Sequence, residues 1–460
     1  MLPIDLDTIV GIATPPGIGG VGIIRISGEA SQLIAKQILK KPCLIPNQAV
    51  YTDFLSENHE VLDSGIAIFF KSPNSFTGED VVELQAHGGP IILDILLRRV
   101  INLGSRIAEP GEFSRRAFLS NKIDLVQAES IISLIHAQTE QAAMAAVKSL
   151  QGEFSKQINL LLQDLITIRM HIEAIIDFPE DDLDALSINN IQSKIIILKK
   201  NIKTVLQQAR QGGLLVRGIK AVILGKPNVG KSSLLNLLSE EERAIVTNIP
   251  GTTRDVVFNK ISIDGLLIEF ADTAGIRETE DLVEKLGIQR AIKEAAIADL
   301  IILMIDAKEF IATNNISIKH FLPETVNEDL FINKKIILLI NKIDLNDINP
   351  EIIIKDNLTI VFGSVKSNLG INLLKQQIKK SIGFDDSQAV FTAKTRHIQA
   401  LEKVHSNVRC AEQIFSASCK TWDFLAEELR LAQECLSQIT GVFTNEDLLS
   451  KIFSEFCIGK

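Results

Sequence analysis

A short loop in the middle of the chain has the residue types needed to hold phosphate. The apolar run Ala221–Leu224 leads directly into Gly-Lys-Pro-Asn-Val-Gly-Lys-Ser at residues 225–232. The glycines let backbone N–H groups curl around a polyphosphate, and a helix N-terminus favours negative charge. In this pattern Lys231 reaches the terminal phosphates and Ser232 offers its hydroxyl to Mg²⁺. We therefore predict a nucleoside triphosphate site, followed by a helix over Ser233–Ser239.

Two further motifs identify the base. Residues 341–344, Asn-Lys-Ile-Asp, follow the apolar run Ile336–Ile340. The carboxylate of Asp344 can accept both donor hydrogens of a guanine edge, which adenine lacks. Ser364, after the last strand-like run, stands where the serine of a guanine-binding loop would lie. An isolated acid such as Asp344 is more often a turn residue, but its place in this ordered set favours GTP.

The predicted magnesium and switch segments lie between the phosphate loop and the 341–344 motif. Asp-Thr-Ala-Gly at 272–275 ends an apolar run, which places Asp272 near Mg²⁺ and the Gly275 amide near the γ-phosphate. Residues 251–255, Gly-Thr-Thr-Arg-Asp, are suited to a switch that orders when Mg²⁺ and γ-phosphate are present. We take Thr253 as the second magnesium ligand.

One absence in this set is informative. Position 276 is Ile, where Ras-like enzymes have a Gln that orients the attacking water. Hydrolysis therefore needs another group, and the following loop offers acids, although each alone is more often a solvated charge. These acids are Glu278, Glu280, Asp281 and Glu284. The residues predicted to contact GTP are Asn228, Val229, Gly230, Lys231, Ser232, Ser233, Thr247, Asn248, Ile249, Pro250, Gly251, Thr252, Thr253, Asp272, Thr273, Ala274, Gly275, Asn341, Lys342, Asp344 and Ser364.

Composition limits the class of protein. The chain has 460 residues with 48 Lys and Arg against 57 Asp and Glu, for a net charge of −9. It is therefore no basic nucleic-acid coat, and any RNA contact must come from a local patch. Five widely spaced cysteines without a C-x-x-C pair favour a reducing compartment. No apolar run approaches membrane-spanning length, and the acidic N-terminus lacks a targeting pattern, so we expect a cytoplasmic protein.

The elements that position these motifs predict a multidomain α/β chain. We predict an α+β domain over 1–120, helices over 121–216, a Ras-like parallel α/β P-loop domain over 217–383, and further helices over 384–460. The two helical segments would form one discontinuous domain into which the P-loop domain is inserted.

Several finer predictions concern element boundaries. Gly212-Gly213 is expected to act as a hinge before the P-loop domain, and Ile261–Phe270 to form one strand. Helical periodicity is expected to break near 178–180. It then resumes from Thr395 through Leu436 and from Glu446 to Phe453.

The motifs together resemble those of the MnmE (TrmE) tRNA-modifying GTPases. The phosphate loop, residues 251–255 and the Asp-Thr-Ala-Gly-Ile-Arg segment all match, and the chain ends in Cys-Ile-Gly-Lys at 457–460. The first domain also matches, for example in Thr-Gly-Glu-Asp-Val-Val-Glu-Leu at 77–84 and Pro-Gly-Glu-Phe-Ser-Arg-Arg-Ala-Phe at 110–118. The resemblance covers the whole chain.

The resemblance implies that the first domain binds a 5-formyl- or methylene-tetrahydrofolate and forms a homodimer. Arg25, Glu83, Lys122 and Lys460 match the folate-contacting positions of the family. A carboxylate can hold the amidine-like edge of a pterin at two points, and cations can meet the glutamate tail or the formyl oxygen. Cys457 is either a reactive, substrate-facing thiol or a small buried hydrophobe.

The same resemblance implies a potassium ion near the β and γ phosphates. Asn228, Thr247, Ile249 and Thr252 match the potassium-coordinating positions, and Glu284 matches the acid that orients water. The cation would neutralise transition-state charge as an arginine finger does. For Asn228 alone, a turn-forming role stays open.

The activity implied is modification of carbon 5 of the wobble uridine in certain tRNAs. The partner would be an FAD- and NADH-dependent flavoprotein of the MnmG (GidA) type, in a heterotetramer or larger complex. The alternative is a regulatory or ribosome-assembly GTPase without one-carbon chemistry, which would have no use for the 457–460 motif.

Overall fold

The computed structural model describes residues 7–177, 185–241, 258–271, 293–313, 334–355, 358–385, 390–416, 421–442, 449, 452–454, 456 and 459. The chain divides into two compact units. The first comprises Met1–Ile132, Leu150–Thr167 and Leu429–Lys460, and the second comprises Ser133–Ser149 and Ile168–Glu428. Within the described residues, no helix is both long and apolar enough to cross a membrane.

The first unit contains a six-stranded sheet in the order β3-β4-β5-β2-β1-β6. Neighbouring strands are antiparallel except for β1 and β6, which are parallel. Two helices pack on the sheet, and the apolar residues of the strands alternate with polar ones because one face is buried and the other is not. The strands are β1 (Ile9–Ile12), β2 (Gly19–Ser27), β3 (Ala49–Leu55), β4 (Val61–Phe70), β5 (Val81–Gly88) and β6 (Arg106–Ile107).

Besides short helical segments at 293–297 and 452–454, the described residues form twelve helices. Their bounds are α1 (Ser31–Ile38), α2 (Pro90–Asn102), α3 (Glu112–Leu119), α4 (Leu125–Ile135), α5 (Glu140–Leu150), α6 (Glu153–Asp177), α7 (Ala185–Arg217), α8 (Lys231–Glu241), α9 (Ala307–Thr313), α10 (Ile371–Ile382), α11 (Thr395–Ser416) and α12 (Trp422–Thr440). The expected helical periodicity between 395 and 436 belongs to two helices, α11 and α12. The predicted break at 178–180 and most of the predicted helix at 446–453 lie outside the described residues.

The predicted hinge at Gly212-Gly213 is wrong, because both glycines lie inside α7. At Gly212 an added Cβ would lie 1.9 Å from the carbonyl oxygen of Phe391. The glycine is therefore needed for a close approach between the helix and the 391–392 backbone, and packing outweighs its poor helix propensity.

The second unit contains a seven-stranded sheet in the order β12-β13-β11-β10-β7-β9-β8. The five inner strands are parallel, and both edge strands are antiparallel to their neighbours. The central strands β10 and β11 are apolar over most of their length because helices cover both faces of the sheet. The strands are β7 (Ile219–Leu224), β8 (Phe258–Ile263), β9 (Leu266–Ala271), β10 (Leu300–Asp306), β11 (Lys335–Asn341), β12 (Ile352–Lys355) and β13 (Leu358–Phe362).

The single strand predicted over Ile261–Phe270 is also wrong. The segment is a hairpin of β8 and β9 joined at Asp264 and Gly265, whose φ angles are 47° and 83°. An Asp-Gly pair with both residues at positive φ forms the two-residue turn that matches the twist of a hairpin.

Replacing Gly212 by alanine should destabilise the protein. Alanine normally stabilises a helix relative to glycine, but here its methyl group would collide with the Phe391 carbonyl, so we expect a loss of about 2 kcal/mol in the free energy of unfolding. The adjacent Gly213→Ala is the control, since its Cβ would lie 3.0 Å from the mobile Cδ1 of Ile398. Equal thermal unfolding midpoints for the two variants would contradict this packing.

Candidate functional site

The polar motifs of the second unit lie at one edge of its sheet. Strands β7, β10, β11 and β13 are parallel and in register, with Leu224 opposite Leu303 and Asp306 opposite Asn341. Their carboxyl ends therefore meet at the same edge, which is where open parallel sheets bind ligands. The phosphate loop, the 341–344 motif and Ser364 follow three of these strand ends, as predicted.

The phosphate loop has the backbone that its glycines and asparagine predict. Gly225, Asn228 and Gly230 have φ angles of 148°, 62° and 105°. At Gly225 an added Cβ would lie 2.4 Å from the carbonyl oxygen of Met304. The loop is thus held against β10, and α8 begins immediately after it, at Lys231. This arrangement points backbone N–H groups and a helix N-terminus at one anion.

The side chain of Lys231 spans its own loop. Its Nζ donates to the carbonyl oxygens of Gly225 and Lys226, each at 2.8 Å. Burial lowers the pKa of the Lys231 ammonium. Phosphate oxygens would favour the charged form again, so this lysine is suited to a polyanionic ligand. Ser232 is exposed at the start of α8, where its hydroxyl is accessible to Mg²⁺.

Asn341 joins the phosphate loop to the loop after β13. Its side chain is only 3% exposed, and its Nδ2 donates to the Val229 carbonyl at 2.7 Å. Its Oδ1 accepts from the Val365 backbone N–H at 3.0 Å. Both ends of the amide are therefore used within the protein, so Asn341 sets the spacing of the two loops.

Asp344 has the property expected of a base-reading group. It lies in a short 3₁₀ helix, Ile343–Leu345, and its Oδ1 is buried without a hydrogen-bond partner among the described residues. A buried acceptor of this kind costs free energy until a ligand donor reaches it. The N1–H and N2–H groups of guanine are such donors. Ser364, which is fully buried, lies at the start of the adjacent loop.

Sequence reasoning missed Asp306, the last residue of β10. Its carboxylate pairs with Lys342 Nζ at 2.9 Å. Burial works against ionisation, but the hydrogen bonds from Lys342 and the Lys308 backbone hold the pKa of Asp306 below its usual range. Lys342 itself has a left-handed backbone, with φ 66°. Asp306 stands at the end of a strand, beside the 341–344 motif. This position was the signal by which the sequence could have identified it.

Other predicted residues of this site lie outside the described part of the chain. They are Thr247, Asn248, Ile249, Pro250, Gly251, Thr252, Thr253, Asp272, Thr273, Ala274, Gly275, Glu278, Glu280, Asp281 and Glu284. Asp272 directly follows β9, which is parallel to β7 and ends at the same sheet edge.

A second polar group lies on the sheet of the first unit. Arg25 on β2 is directly opposite Glu83 on β5, and its Nε donates to Glu83 Oε1 at 2.9 Å. The guanidinium also lies 5.6 Å from the ring centre of Phe76 and 5.7 Å from that of Phe113. The side chains of Arg25 and Glu83 are 21% and 14% exposed, so both remain accessible to a ligand.

The end of the chain reaches this group. The carbonyl oxygen of Gly459 accepts from Arg25 at 3.4 Å, and the Gly459 backbone packs against the carbonyl of Ile12. Cys457 and Lys460 lie outside the described residues. Lys122 donates to the Pro73 carbonyl at 2.9 Å, and no hydrogen bond links it to Arg25 or Glu83 among the described residues.

A buried ion cluster supports this part of the first unit, and sequence reasoning missed it. Arg116 is 4% exposed and pairs with Asp7, Glu79 and Glu112 at 2.8, 3.0 and 2.9 Å. Burial opposes ionisation of Glu112, yet its arginine partners keep its pKa below the usual range. Ser27, at the end of β2, joins the cluster by donating to Glu79 at 2.7 Å.

A phosphate loop at the carboxyl edge of a parallel sheet, with the Asn-Lys-Ile-Asp motif at the end of another strand of that sheet, is the arrangement of a P-loop GTPase. A family model described as the MnmE helical domain matches residues 125–457, and one described as the GTP-binding protein TrmE N-terminus matches residues 8–122. The chain belongs to the MnmE family of tRNA modification GTPases.

Relatives of full length support the assignment. The chain is 48% identical over 458 residues to the tRNA modification GTPase MnmE of Hydrogenovibrio crunogenus, covering 99% of each chain. It is 48% identical over 456 residues to the protein of that name in Proteus mirabilis, again covering 99% of each. A solved structure of Aquifex aeolicus Era bound to GDP·AlF4⁻ is 27% identical over 41% of this chain and 66% of that one, with a TM-score of 0.25.

Asp344→Asn should weaken GTP binding by at least about 100-fold, because an amide cannot accept both guanine donors. Binding of xanthosine triphosphate should improve, since xanthine replaces the N2 donor with an acceptor. Asp347→Asn is the control, because this exposed residue with φ 50° tolerates Asn and makes the same charge change. Equal GTP dissociation constants for the wild type and Asp344→Asn, measured by calorimetry, would exclude the assigned role.

Proposed function

We propose that this GTPase modifies carbon 5 of the wobble uridine in certain tRNAs, adding a carboxymethylaminomethyl or aminomethyl group. The proposal is supported by family membership over the full chain and by relatives that are named tRNA modification GTPases. The partner in the reaction would be an MnmG-type flavoprotein that supplies FAD and NADH chemistry. We propose a heterotetramer or larger complex built on a homodimer of this chain, acting in the cytoplasm.

The observation that carries the one-carbon part of the proposal is the setting of Arg25. A guanidinium, a carboxylate and two aromatic rings meet beside the chain end in the first unit. A planar, polar heterocycle with an anionic tail fits such a set, because aromatic rings stack and the two charged groups give directional hydrogen bonds. We propose that a 5-formyl- or methylene-tetrahydrofolate binds there and supplies the one-carbon unit when bound.

Each protein group then has a separate task in folate binding. Glu83, whose Oε1 is held by Arg25, would hold the pterin edge with its remaining oxygen. Arg25, Lys122 and Lys460 would contact the formyl oxygen or the glutamate tail. The position of Gly459 beside Arg25 supports the proposal that Lys460 reaches the ligand, and that Cys457 faces the substrate.

GTP turnover would use residues of both described and undescribed segments. We propose that Ser232 and Thr253 bind Mg²⁺, and that Glu284 orients the attacking water in place of the missing Gln. We further propose that Asn228, Thr247, Ile249 and Thr252 bind K⁺. Asn228 belongs to the phosphate loop, where its backbone is left-handed. We also propose that the domain boundaries lie at residues 120, 216 and 383.

The proposal is tested by mass analysis of wobble uridines in cells that lack this chain. We expect the modified nucleoside to disappear and to return with the wild-type gene. Arg25→Gln should fail to restore it and should bind 5-formyltetrahydrofolate about tenfold or more weakly, because a charge-assisted contact is lost. Arg98→Gln, at an exposed arginine paired within α2, is the control and should restore it. Unchanged wobble uridines in the deletion strain would refute the proposal.

The potassium site predicts faster GTP hydrolysis in potassium than in sodium buffer. Asn228→Gly should abolish the difference, because glycine tolerates the φ of 62° but has no side-chain oxygen to bind the cation. Asn368→Gly, at a φ of 54° outside the phosphate loop, is the control and should retain the potassium effect. Equal wild-type rates in the two salts would remove potassium from the mechanism.

A further inference from the structure

One long helix of this acidic chain has only positive charges. Helix α7 contains six Lys or Arg residues and no Asp or Glu, although the whole chain has a net charge of −9. Helix α11, which packs along α7 in the second unit, has three Lys or Arg and two Glu. The cations of α7 are Lys194, Lys199, Lys200, Lys203, Arg210 and Arg217.

Both glutamates of α11 are already paired with α7. Lys199 Nζ pairs with Glu412 Oε2, and Arg210 donates to Glu402 Oε1 at 2.7 Å. These two pairs fix the helices in antiparallel register. We call the surface between the two pairs the α7–α11 seam, which comprises Lys199, Lys203, Arg210, His405 and Arg409.

Two exposed cations in the middle of the seam have no acidic partner among the residues that the structure describes. Lys203 is one turn after Lys199 on the same face of α7, and Arg409 is one turn before Glu412 on α11. The register set by the two ion pairs therefore brings Lys203 and Arg409 to the same level of the seam. Neither makes an ion pair or side-chain hydrogen bond with the described part of the chain. Like charges at neighbouring positions repel each other, so the seam is more stable with an anion bound.

The pKa of His405, the histidine of the seam, responds to the same positive charges. His405 is half-buried, and its pKa is lowered by burial and by the charges of Arg409, Lys199, Lys203 and Arg210. Glu402 and Glu412 each pair with one of these cations, so Lys203 and Arg409 are the two whose charge no described acid offsets. The lowered pKa of His405 and the two unpaired cations both indicate a positive potential in the middle of the seam.

We propose that the α7–α11 seam binds the phosphate backbone of the RNA substrate, an inference that rests on the tRNA substrate of the proposed function. The cations extend over about 16 Å of α7, long enough to contact several phosphates. Helix α7 has no aromatic residue with which to stack on bases. The contact would thus be electrostatic and independent of base sequence, leaving recognition of the wobble position to other parts of the complex.

The test compares two double variants of the full-length chain with the same net charge. Lys203→Gln/Arg409→Gln removes the unpartnered seam cations, and Lys200→Gln/Lys403→Gln removes exposed lysines of the same helices. Binding of a labelled, unmodified tRNA transcript is followed by fluorescence anisotropy at several KCl concentrations. We expect the seam variant to bind about tenfold more weakly and to reduce the slope of log K against log salt by about two. The control should lose less than about twofold.

Three outcomes of that comparison would overturn the inference: no loss in the seam variant, equal losses in both variants, or no tRNA binding by the wild type. GTP hydrolysis at the wild-type rate shows that each variant is folded. The wobble-uridine measurement is independent of these results, so the seam can fail while the proposed function stands.

A second measurement needs no variant. The pKa of His405 is followed by NMR in the wild-type chain containing ¹³C-labelled histidine, with and without tRNA. Phosphates in the seam would offset the four cations, so the pKa should rise on binding. An unchanged pKa at saturating tRNA would place the RNA elsewhere and refute the inference.

Discussion

The side-chain amide of Asn341 fixes the distance between the phosphate loop and the loop that follows β13. It donates to the carbonyl of Val229 and accepts from the N–H of Val365, and it is almost fully buried. Loss of either bond would leave a buried backbone group unpaired, at a cost of about 1–3 kcal/mol. Asn341 can make both bonds because β11 lies next to β10 and β13 in parallel register. The strand order therefore determines where the nucleotide can bind.

In the first unit, ion pairs rather than a side-chain amide hold separate segments together. Arg116 can be buried only because three carboxylates surround it, and these come from α3 and from the segments before β1 and β5. One of them also accepts a hydrogen bond from the end of β2. Arg25 is different, since it is partly exposed and has one carboxylate, Glu83, and one weak backbone contact, Gly459. Arg25, which is partly exposed and has one carboxylate partner, is available to a ligand, whereas the buried Arg116, paired with three carboxylates, holds the fold together.

The sequence predicted what depends on local pattern. The parallel strands and the phosphate loop follow from residue types at fixed spacing, and the structure places Lys231 and Asp344 at one sheet edge, where their predicted roles require them. The Asp-Gly pair at 264–265 is a sequence signal for a hairpin turn. It was missed because the apolar residues on both sides suggested one continuous strand. The need for a glycine at position 212 could not be predicted, because it comes from the close approach of the Phe391 backbone, 179 residues away along the chain. The Arg116 cluster likewise joins residues as far apart as 109 positions.

The net charge of a chain does not determine where it can contact RNA, because electrostatic forces have a short range in salt solution. At physiological salt, exposed charges are screened beyond about 8 Å, so a phosphate responds to the cations beside it more than to the charge of the chain. Sequence alone identifies α7 as a cationic helix. It does not show that both glutamates of α11 are already paired, which is what leaves Lys203 and Arg409 unmatched. The local excess of charge is thus a property of helix packing, and it can exist in a chain with a net charge of −9.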